Sequence, residues 1–215
     1  MSDKYLITGA TGFIGAVLLR KLVDLGEDVF IIIKKNSNTW RINDLLESEK
    51  VKVFFSDLSN LEQLSLIIKD IQPTVIYHLA THGAYSYQND ADSIINTNIL
   101  GTWNLIRACN DIEYKLFVNT GSSSEYGRKN YAMRETDILE PESYYAVSKC
   151  AQSLLCTNVA KQEGKPIVMF RPFSVYGPFE EPKRFIPTLM KSLFLKKDMN
   201  LVSPCLLYTS PSPRD

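Results

Sequence analysis

The chain opens with Lys4-Tyr5-Leu6-Ile7-Thr8-Gly9-Ala10-Thr11-Gly12-Phe13-Ile14-Gly15. A short apolar run ends in a glycine. Apolar residues then recur at Phe13, Ile14, Val17, Leu18, Leu22 and Leu25, and Gly26 closes the series. The first run reads as a buried strand and the second as a helix. Between them the glycines stand at G-x-x-G-x-x-G spacing. Gly9 permits a tight turn, Gly12 lets a phosphate approach the backbone, and Gly15 allows a helix to pack closely on a strand. A helix that starts on such a turn presents unpaired N–H groups and a partial positive charge. Gly9, Thr11, Gly12, Phe13, Ile14 and Gly15 are therefore candidate contacts for the pyrophosphate of a dinucleotide. The plainer reading is a packing turn without a ligand. The strand–turn–helix context at the chain start favours the binding reading.

The same alternation continues outward. Apolar, β-rich runs at 29–33, 51–55, 74–78, 116–120 and 167–171 read as strands. Helical periods are expected at 61–69, 91–110, 143–164 and 185–196. Strands separated by helices imply βαβ units and a parallel sheet. Near-continuous apolar strands fit a sheet covered on both faces. Right-handed crossovers wind this into an α/β, doubly wound, Rossmann-type domain. The sheet is complete by about residue 171, and no internal repeat is visible.

Composition narrows the class further. The 215 residues carry 24 basic and 24 acidic side chains, a net charge of zero. Without a basic stripe, nucleic-acid binding is not expected. No apolar run approaches the ~18 residues that suggest a membrane span. Met1-Ser2-Asp3-Lys4 leads straight into a strand, so no signal peptide is expected. Four cysteines at 109, 150, 156 and 205 form no C-x-x-C pair, and there are only two histidines. Neither a metal site nor a disulfide framework is expected, and a reducing cytoplasm is the simplest compartment. The end, Cys205-Leu206-Leu207-Tyr208-Thr209-Ser210-Pro211-Ser212-Pro213-Arg214-Asp215, resembles a translated sequencing adapter. It is read as lying outside the fold, with the natural chain continuing differently after Pro204. The plainer alternative is a natural Ser/Pro-rich tail.

Three further positions carry chemistry. An acid about 20 residues beyond the glycines would bind a ribose 2′-hydroxyl. The second strand ends instead in Ile33-Lys34-Lys35. Lys34 can meet a 2′-phosphate, which slightly favours NADP(H) within NAD(P), although two solvated lysines explain the sequence equally well. Tyr145 and Lys149 stand at i and i+4, so on a helix they share a face. A nearby ammonium is expected to lower the phenol's pKa, and such a tyrosine can exchange a proton with a sugar hydroxyl. Lys149 could also hold a cofactor ribose. As a bare pattern, a surface Tyr–Lys pair is the plainer reading. Ser122-Ser123-Ser124 follows the fifth strand, at the carboxyl end where open α/β sheets bind ligands. A serine there can polarise a reacting oxygen, or can simply form a turn.

Together these motifs resemble the extended short-chain dehydrogenases/reductases of the NAD-dependent epimerase/dehydratase family, which act on nucleotide-sugars. The resemblance spans about residues 4–204. It rests on T-G-A-T-G-F-I-G at 8–15, D-L at 57–58, H-L-A-T at 78–81, N-T-N-I-L-G-T-W-N-L at 96–105, Y-Y-A-V-S-K at 144–149 and R-P-F-S-V-Y-G-P at 171–178. It implies that Asp57 and Leu58 flank an adenine. Leu79, Ala80 and Thr81 would line the cofactor's middle, and Asn98 would brace the site's backbone. Tyr145 and Lys149 would be the catalytic couple, with Ser122 as the catalytic serine and Ser123 its near alternative. Pro172 to Ser174 would meet the nicotinamide end, and Arg184 a substrate phosphate. Plainer roles stay open: Asp57 as a helix N-cap, His78 as a core residue and Asn98 as an ordinary helix residue.

The sequence also departs from the family. Its 4,6-dehydratases usually carry Asp-Glu after the catalytic Ser/Thr. Here Ser123-Ser124 fills those places and Glu125 is displaced by one, close enough for a rearranged loop to bring it to substrate. The expected function is therefore an NAD(P)-dependent nucleotide-sugar 4-epimerase or 4-ketoreductase. A dehydratase and a non-catalytic dinucleotide sensor are the alternatives. Family members are usually longer. Residues 1–180 are accordingly read as the dinucleotide-binding domain with its catalytic residues. Residues 181–204 are read as the start of a truncated substrate part, and 205–215 as the artefact tail. As it stands, such a chain is expected to bind cofactor weakly and not to turn over. The resemblance further implies a homodimer, when full length, through the helices at 91–110 and 143–164.

Overall fold

The structure, a computed structural model, describes residues 2–85 and 87–198. The strands are β1 (Lys4–Thr8), β2 (Asp28–Ile33), β3 (Lys52–Phe55), β4 (Val75–His78), β5 (Leu116–Thr120) and β6 (Ile167–Phe170). They form one sheet in the order β3-β2-β1-β4-β5-β6. Every pairing is parallel, for example Ile7↔Ile31 and Ile7↔Tyr77 on the two sides of β1. This is the strand order of a doubly wound dinucleotide-binding sheet, with its switch point between β1 and β4. The expected fold class is borne out.

Helices cover both faces because each buries one apolar stripe. Those between β1 and β3 are α1 (Phe13–Asp24) and α2 (Asn43–Glu47). Ala16, Leu19 and Leu22 of α1 pack with Ile7, Ile31 and Ile33 of the sheet. On the opposite face α3 (Leu61–Ile71) inserts Leu64, Ile67, Ile68 and Ile71 against Leu6, Ile76 and Phe117. Asn60 starts α3 by accepting a hydrogen bond from the Gln63 N–H. α6 (Tyr144–Glu163) begins on Ser143, whose hydroxyl accepts from Ala146 N–H, and ends at the left-handed Gly164. α7 (Phe185–Leu195) buries none of its side chains among the described residues.

The segment expected as one helix over 91–110 differs. It runs as α4 (Ala91–Ile95), a π turn (Asn96–Leu100) and α5 (Gly101–Ala108). Thr102 donates its hydroxyl to the Asn98 carbonyl at 2.6 Å, a back-bond that distorts helices. Gly101 also brings the backbone against Leu58, where a Cβ would sit 2.9 Å from the leucine's own Cβ. α2 and a single 3₁₀ turn (Ser123–Tyr126) were not expected, since pieces this short show no period. The tail reading for 205–215, and Cys205 with it, falls outside the described residues.

Candidate active site

A cleft of about 1640 Å³ opens at the carboxyl ends of β1, β4 and β5. The glycine loop forms one wall. Gly9 adopts φ +75°, and a Cβ there would lie 2.5 Å from the Ala80 nitrogen. A Cβ on Gly15 would lie 2.2 Å from the Gly9 carbonyl oxygen. Thus the loop, the helix start and the end of β4 meet backbone to backbone. Gly12 caps α1 without any side-chain hydrogen bond, and the first turn carries no acid. Gly12 lines the cleft together with Thr11, Phe13, Ile14 and Gly15, so the start of α1 borders it. These residues fit the pyrophosphate of a dinucleotide, an anion that would supply the missing cap.

At the outer end, Lys34 lines the cleft but its ammonium lies 2.8 Å from the Asp57 carboxylate. Both side chains are about half exposed. Asp57 also accepts from the N–H and hydroxyl of Ser59, each at 2.9 Å. Burial pushes the Asp57 pKa up, but the bonds from Lys34 and Ser59 outweigh it and the net direction is down. Asp57 therefore ties down the turn after β3 instead of lining the cleft, and it is Asn60, not Asp57, that caps the next helix. Leu58 does line the cleft, with Leu79, Ala80 and Thr81 deeper in.

Arg41 belongs to this end and had no signal in the sequence. Its Nε donates to the Phe179 carbonyl at 2.7 Å, and its Nη2 lies 3.5 Å from the Glu181 carboxylate. Its Nη1 reaches the Thr11 carbonyl at 3.4 Å. One guanidinium thus joins the glycine loop to Phe179, which lies 138 residues beyond Arg41.

Asn98 is wholly buried and does not line the cleft itself. Its side chain accepts from His82 N–H (2.8 Å) and donates to the His82 carbonyl (2.8 Å) and to Ser148 Oγ (2.9 Å). Thr81 donates to it as well, at 3.1 Å. Asn98 is the clamp that fixes the 81–83 turn against α6.

Tyr145 and Lys149 lie on one face of α6, and both reach the cleft. Burial raises the Tyr145 pKa, while hydrogen bonds with Ser122 and Thr81 pull it down less strongly. This corrects the expected lowering by Lys149. The Lys149 ammonium lies 6.0 Å from the phenol ring centroid and is held elsewhere. It donates to the Thr120 carbonyl at 2.7 Å and to Gln152 Oε1 at 2.9 Å. Burial pushes its own pKa down to about 8, against the opposing charge of Glu125. Both members of the pair are thus pressed toward neutrality.

Ser122 and Ser123 line the cleft, and Ser123 N–H donates to the Pro172 carbonyl at 3.1 Å. Pro172, Ser174 and Arg184 also line the cleft, with Arg184 Nε 3.6 Å from Glu180. Glu125, expected as a possible substrate contact, is placed differently. It is fully buried away from the cleft. Oε1 accepts from Ser122 N–H at 2.8 Å and Oε2 pairs with Arg171 Nε at 2.7 Å. The one-residue displacement turns this side chain into the interior. Among the described residues, no group of three or more His, Cys, Asp or Glu side chains is arranged to hold a metal.

A 3-2-1-4-5-6 sheet with a glycine-loop cleft and a Tyr–Lys–Ser cluster defines a dinucleotide-binding protein of the short-chain dehydrogenase/reductase type. Residues 5–214 match the sequence profile of the NAD dependent epimerase/dehydratase family, and the chain belongs to that family. It is 29% identical over 205 residues to a UDP-glucuronate 4-epimerase of Thermodesulfobacterium geofontis, covering 92% of this chain and 64% of that protein. It is 27% identical to a dTDP-D-glucose 4,6-dehydratase of Dictyostelium discoideum, covering 91% and 49% respectively. The solved UDP-glucuronic acid 4-epimerase of Bacillus cereus, in complex with UDP-glucuronic acid and NAD, superposes with a TM-score of 0.77 at 33% identity. That match covers 90% of this chain and 64% of the other. The chain thus spans less than two thirds of the length of these relatives.

Proposed function

We propose that this chain is the dinucleotide-binding and catalytic portion of an NAD(P)-dependent nucleotide-sugar 4-epimerase or 4-ketoreductase. One observation carries the reading: the Tyr145 hydroxyl meets Ser122 and Thr81 at the cleft, one helical turn from the buried ammonium of Lys149. A bound nicotinamide dinucleotide supplies reversible hydride acceptance. The chain's own groups handle the proton. Tyr145 takes the proton of the sugar's 4-oxygen and returns it, and Ser122 hydrogen-bonds the same oxygen as its charge changes. Burial leaves the phenol protonated at rest, the form that donates to a 4-keto oxygen. As a base it relies on the hydrogen bonds with Ser122 and Thr81, which favour the phenolate. The cleft exceeds the roughly 300–1000 Å³ of an ordinary small-molecule pocket, which leaves room for a second ligand beside a dinucleotide.

Two features separate this reading from its rivals. In a dehydratase, acids face the sugar. Here Ser123 and Ser124 hold those places, and Glu125 is committed to Arg171. A non-catalytic sensor has no use for the Tyr–Lys pair. The cofactor is assigned as NAD(P). The Asp57 carboxylate balances the Lys34 charge, so Lys34 gives no ground for a preference between the two forms.

Residues 181–204 begin the substrate-binding part on this reading, and turnover belongs to the completed protein. Its partner is a second copy docked through Ile95 and Leu100 beside Tyr144, Val147 and Leu154 of α6, all exposed. Light scattering on the completed protein checks the dimer. No described helix is long and apolar enough to cross a membrane. The free buried thiols of Cys109, Cys150 and Cys156 suit the cytoplasm.

The test has two arms. Calorimetric titration of the chain with NAD and with NADP reads binding directly. In the completed protein, Tyr145→Phe should abolish formation of the C4 epimer or alcohol, read by NMR, with dinucleotide affinity within twofold or so of the parent. No binding of either dinucleotide, or full turnover without the phenol, overturns the reading.

A further inference from the structure

Behind Lys149 lies a buried chain of polar side chains that crosses the middle of the sheet. Lys149 Nζ donates to Gln152 Oε1 at 2.9 Å. Gln152 Nε2 donates both to Asn119 Oδ1 and to Thr102 Oγ1, each at 2.8 Å. Thr102 sends its own proton to the Asn98 carbonyl, so its oxygen acts as an acceptor toward its other neighbours. His78 Nε2, 2.8 Å from that oxygen, must therefore carry the ring proton. His78 Nδ1 in turn accepts from the Thr8 hydroxyl at 2.6 Å. Gln152, Thr102, Asn119 and His78 are all fully buried.

The donor logic fixes the amide. Both protons of Gln152 are claimed by acceptors on α5 and β5, so its carbonyl has one way to face, toward Lys149. The Lys149 ammonium has three protons. One goes to the Thr120 carbonyl and one to Gln152, which leaves one for the cleft that Lys149 lines. We propose that Gln152 is a positioning residue for the Tyr145–Lys149 couple, locking the lysine so that its remaining N–H points at the ligand in the cleft. This rests on the dinucleotide reading above for what the N–H meets, but not for the contact itself. The other charged and titratable groups around Lys149 are the Glu125 carboxylate, itself paired with Arg171, the Cys156 thiol, the neutral His78 ring and the Tyr145 phenol.

The experiment compares the full 215-residue chain with its Gln152→Glu and Gln152→Met forms. Lysine side chains are isotopically labelled and titrated by NMR without ligand, and the Lys149 signal is identified by its loss in Lys149→Met. The parent midpoint is expected near 8. A carboxylate at 152 should raise it by about one pH unit or more, and an apolar thioether should lower it. NAD binding should weaken about tenfold in Gln152→Met, and less in Gln152→Glu, which still accepts from the lysine but gives up both amide protons that Asn119 and Thr102 accept. A Lys149 midpoint common to all three chains overturns the proposal. Should Gln152→Met not fold, the isosteric Gln152→Glu decides alone. A parent chain that binds neither NAD nor NADP sinks the dinucleotide reading only, because the midpoint is read without ligand.

Discussion

Glu125 and Arg171 join the loop after β5 to the end of β6 through an ion pair, Nε to Oε2 at 2.7 Å, with the carboxylate side wholly enclosed. Its second oxygen holds Ser122 N–H, and the Arg171 guanidinium also reaches the Tyr126 hydroxyl at 3.3 Å. The pair therefore sets where Ser122 stands. Removing one partner of a buried pair strands the other, at a cost of about 3–5 kcal/mol. Arg171 keeps partial access to water, so the lower end applies. Glu125→Ala should reduce the unfolding free energy by about 3 kcal/mol, measured by urea denaturation. Glu125→Gln, which can still accept from Ser122, should lose less. A loss within experimental error for Glu125→Ala would mean the pair does not hold the loop.

Two glycines offer a matched comparison. Gly15 meets the Gly9 carbonyl so closely that a methyl group cannot be accommodated without moving the loop. Gly15→Ala should therefore abolish measurable dinucleotide binding in a calorimetric titration. Gly26 has φ +77° but nothing within 4 Å of its would-be Cβ. Gly26→Ala should cost only about 1 kcal/mol of backbone strain and leave binding intact. Equal binding by both variants would remove the glycine loop from the site.

His78 makes stability depend on pH. Burial, with a smaller push from Lys149, depresses its pKa to about 3 from an unfolded value near 6.5. Above 6.5 the ring is neutral in both states and costs nothing. As pH falls below 6.5 the unfolded chain takes up a proton that the folded chain refuses. Stability should then drop by about 1.4 kcal/mol per pH unit until the folded pKa is reached. Between pH 6.5 and 5 that is roughly 2 kcal/mol from this ring. Denaturation curves at the two pH values should show it, and His78→Gln should flatten the difference. An unchanged slope in that variant would assign the acid sensitivity to other groups.

The sheet was legible because β1, β2, β4 and β5 are short apolar runs between helical periods, and a buried parallel strand has no other way to look. The π turn was not, since Ile94, Asn98 and Thr102 keep a helical spacing through it. Tyr145 and Lys149 could be paired from four-residue separation alone. Gln152 could not be tied to Asn119 or Thr102, because those contacts span 33 and 50 residues. Glu125 shows the limit most sharply. Its sequence position is one step from the place where the family's dehydratases carry their acid, yet on a 3₁₀ turn one step swings a side chain by about 120°, here into the interior. The effect of Lys149 on Tyr145 was misjudged for a related reason. Spacing gives adjacency, but it says nothing about what else claims an ammonium or how dry its surroundings are.

The run of hydroxyl, imidazole and amide groups from Thr8 to Gln152 has a consequence for how this scaffold tolerates change. Under α3, aliphatic side chains can be exchanged for one another so long as volume is kept. Through the centre each donor has one acceptor, and an altered member strands its neighbours on both sides. A randomised library should therefore return many solutions for one half of the interior and almost none for the other.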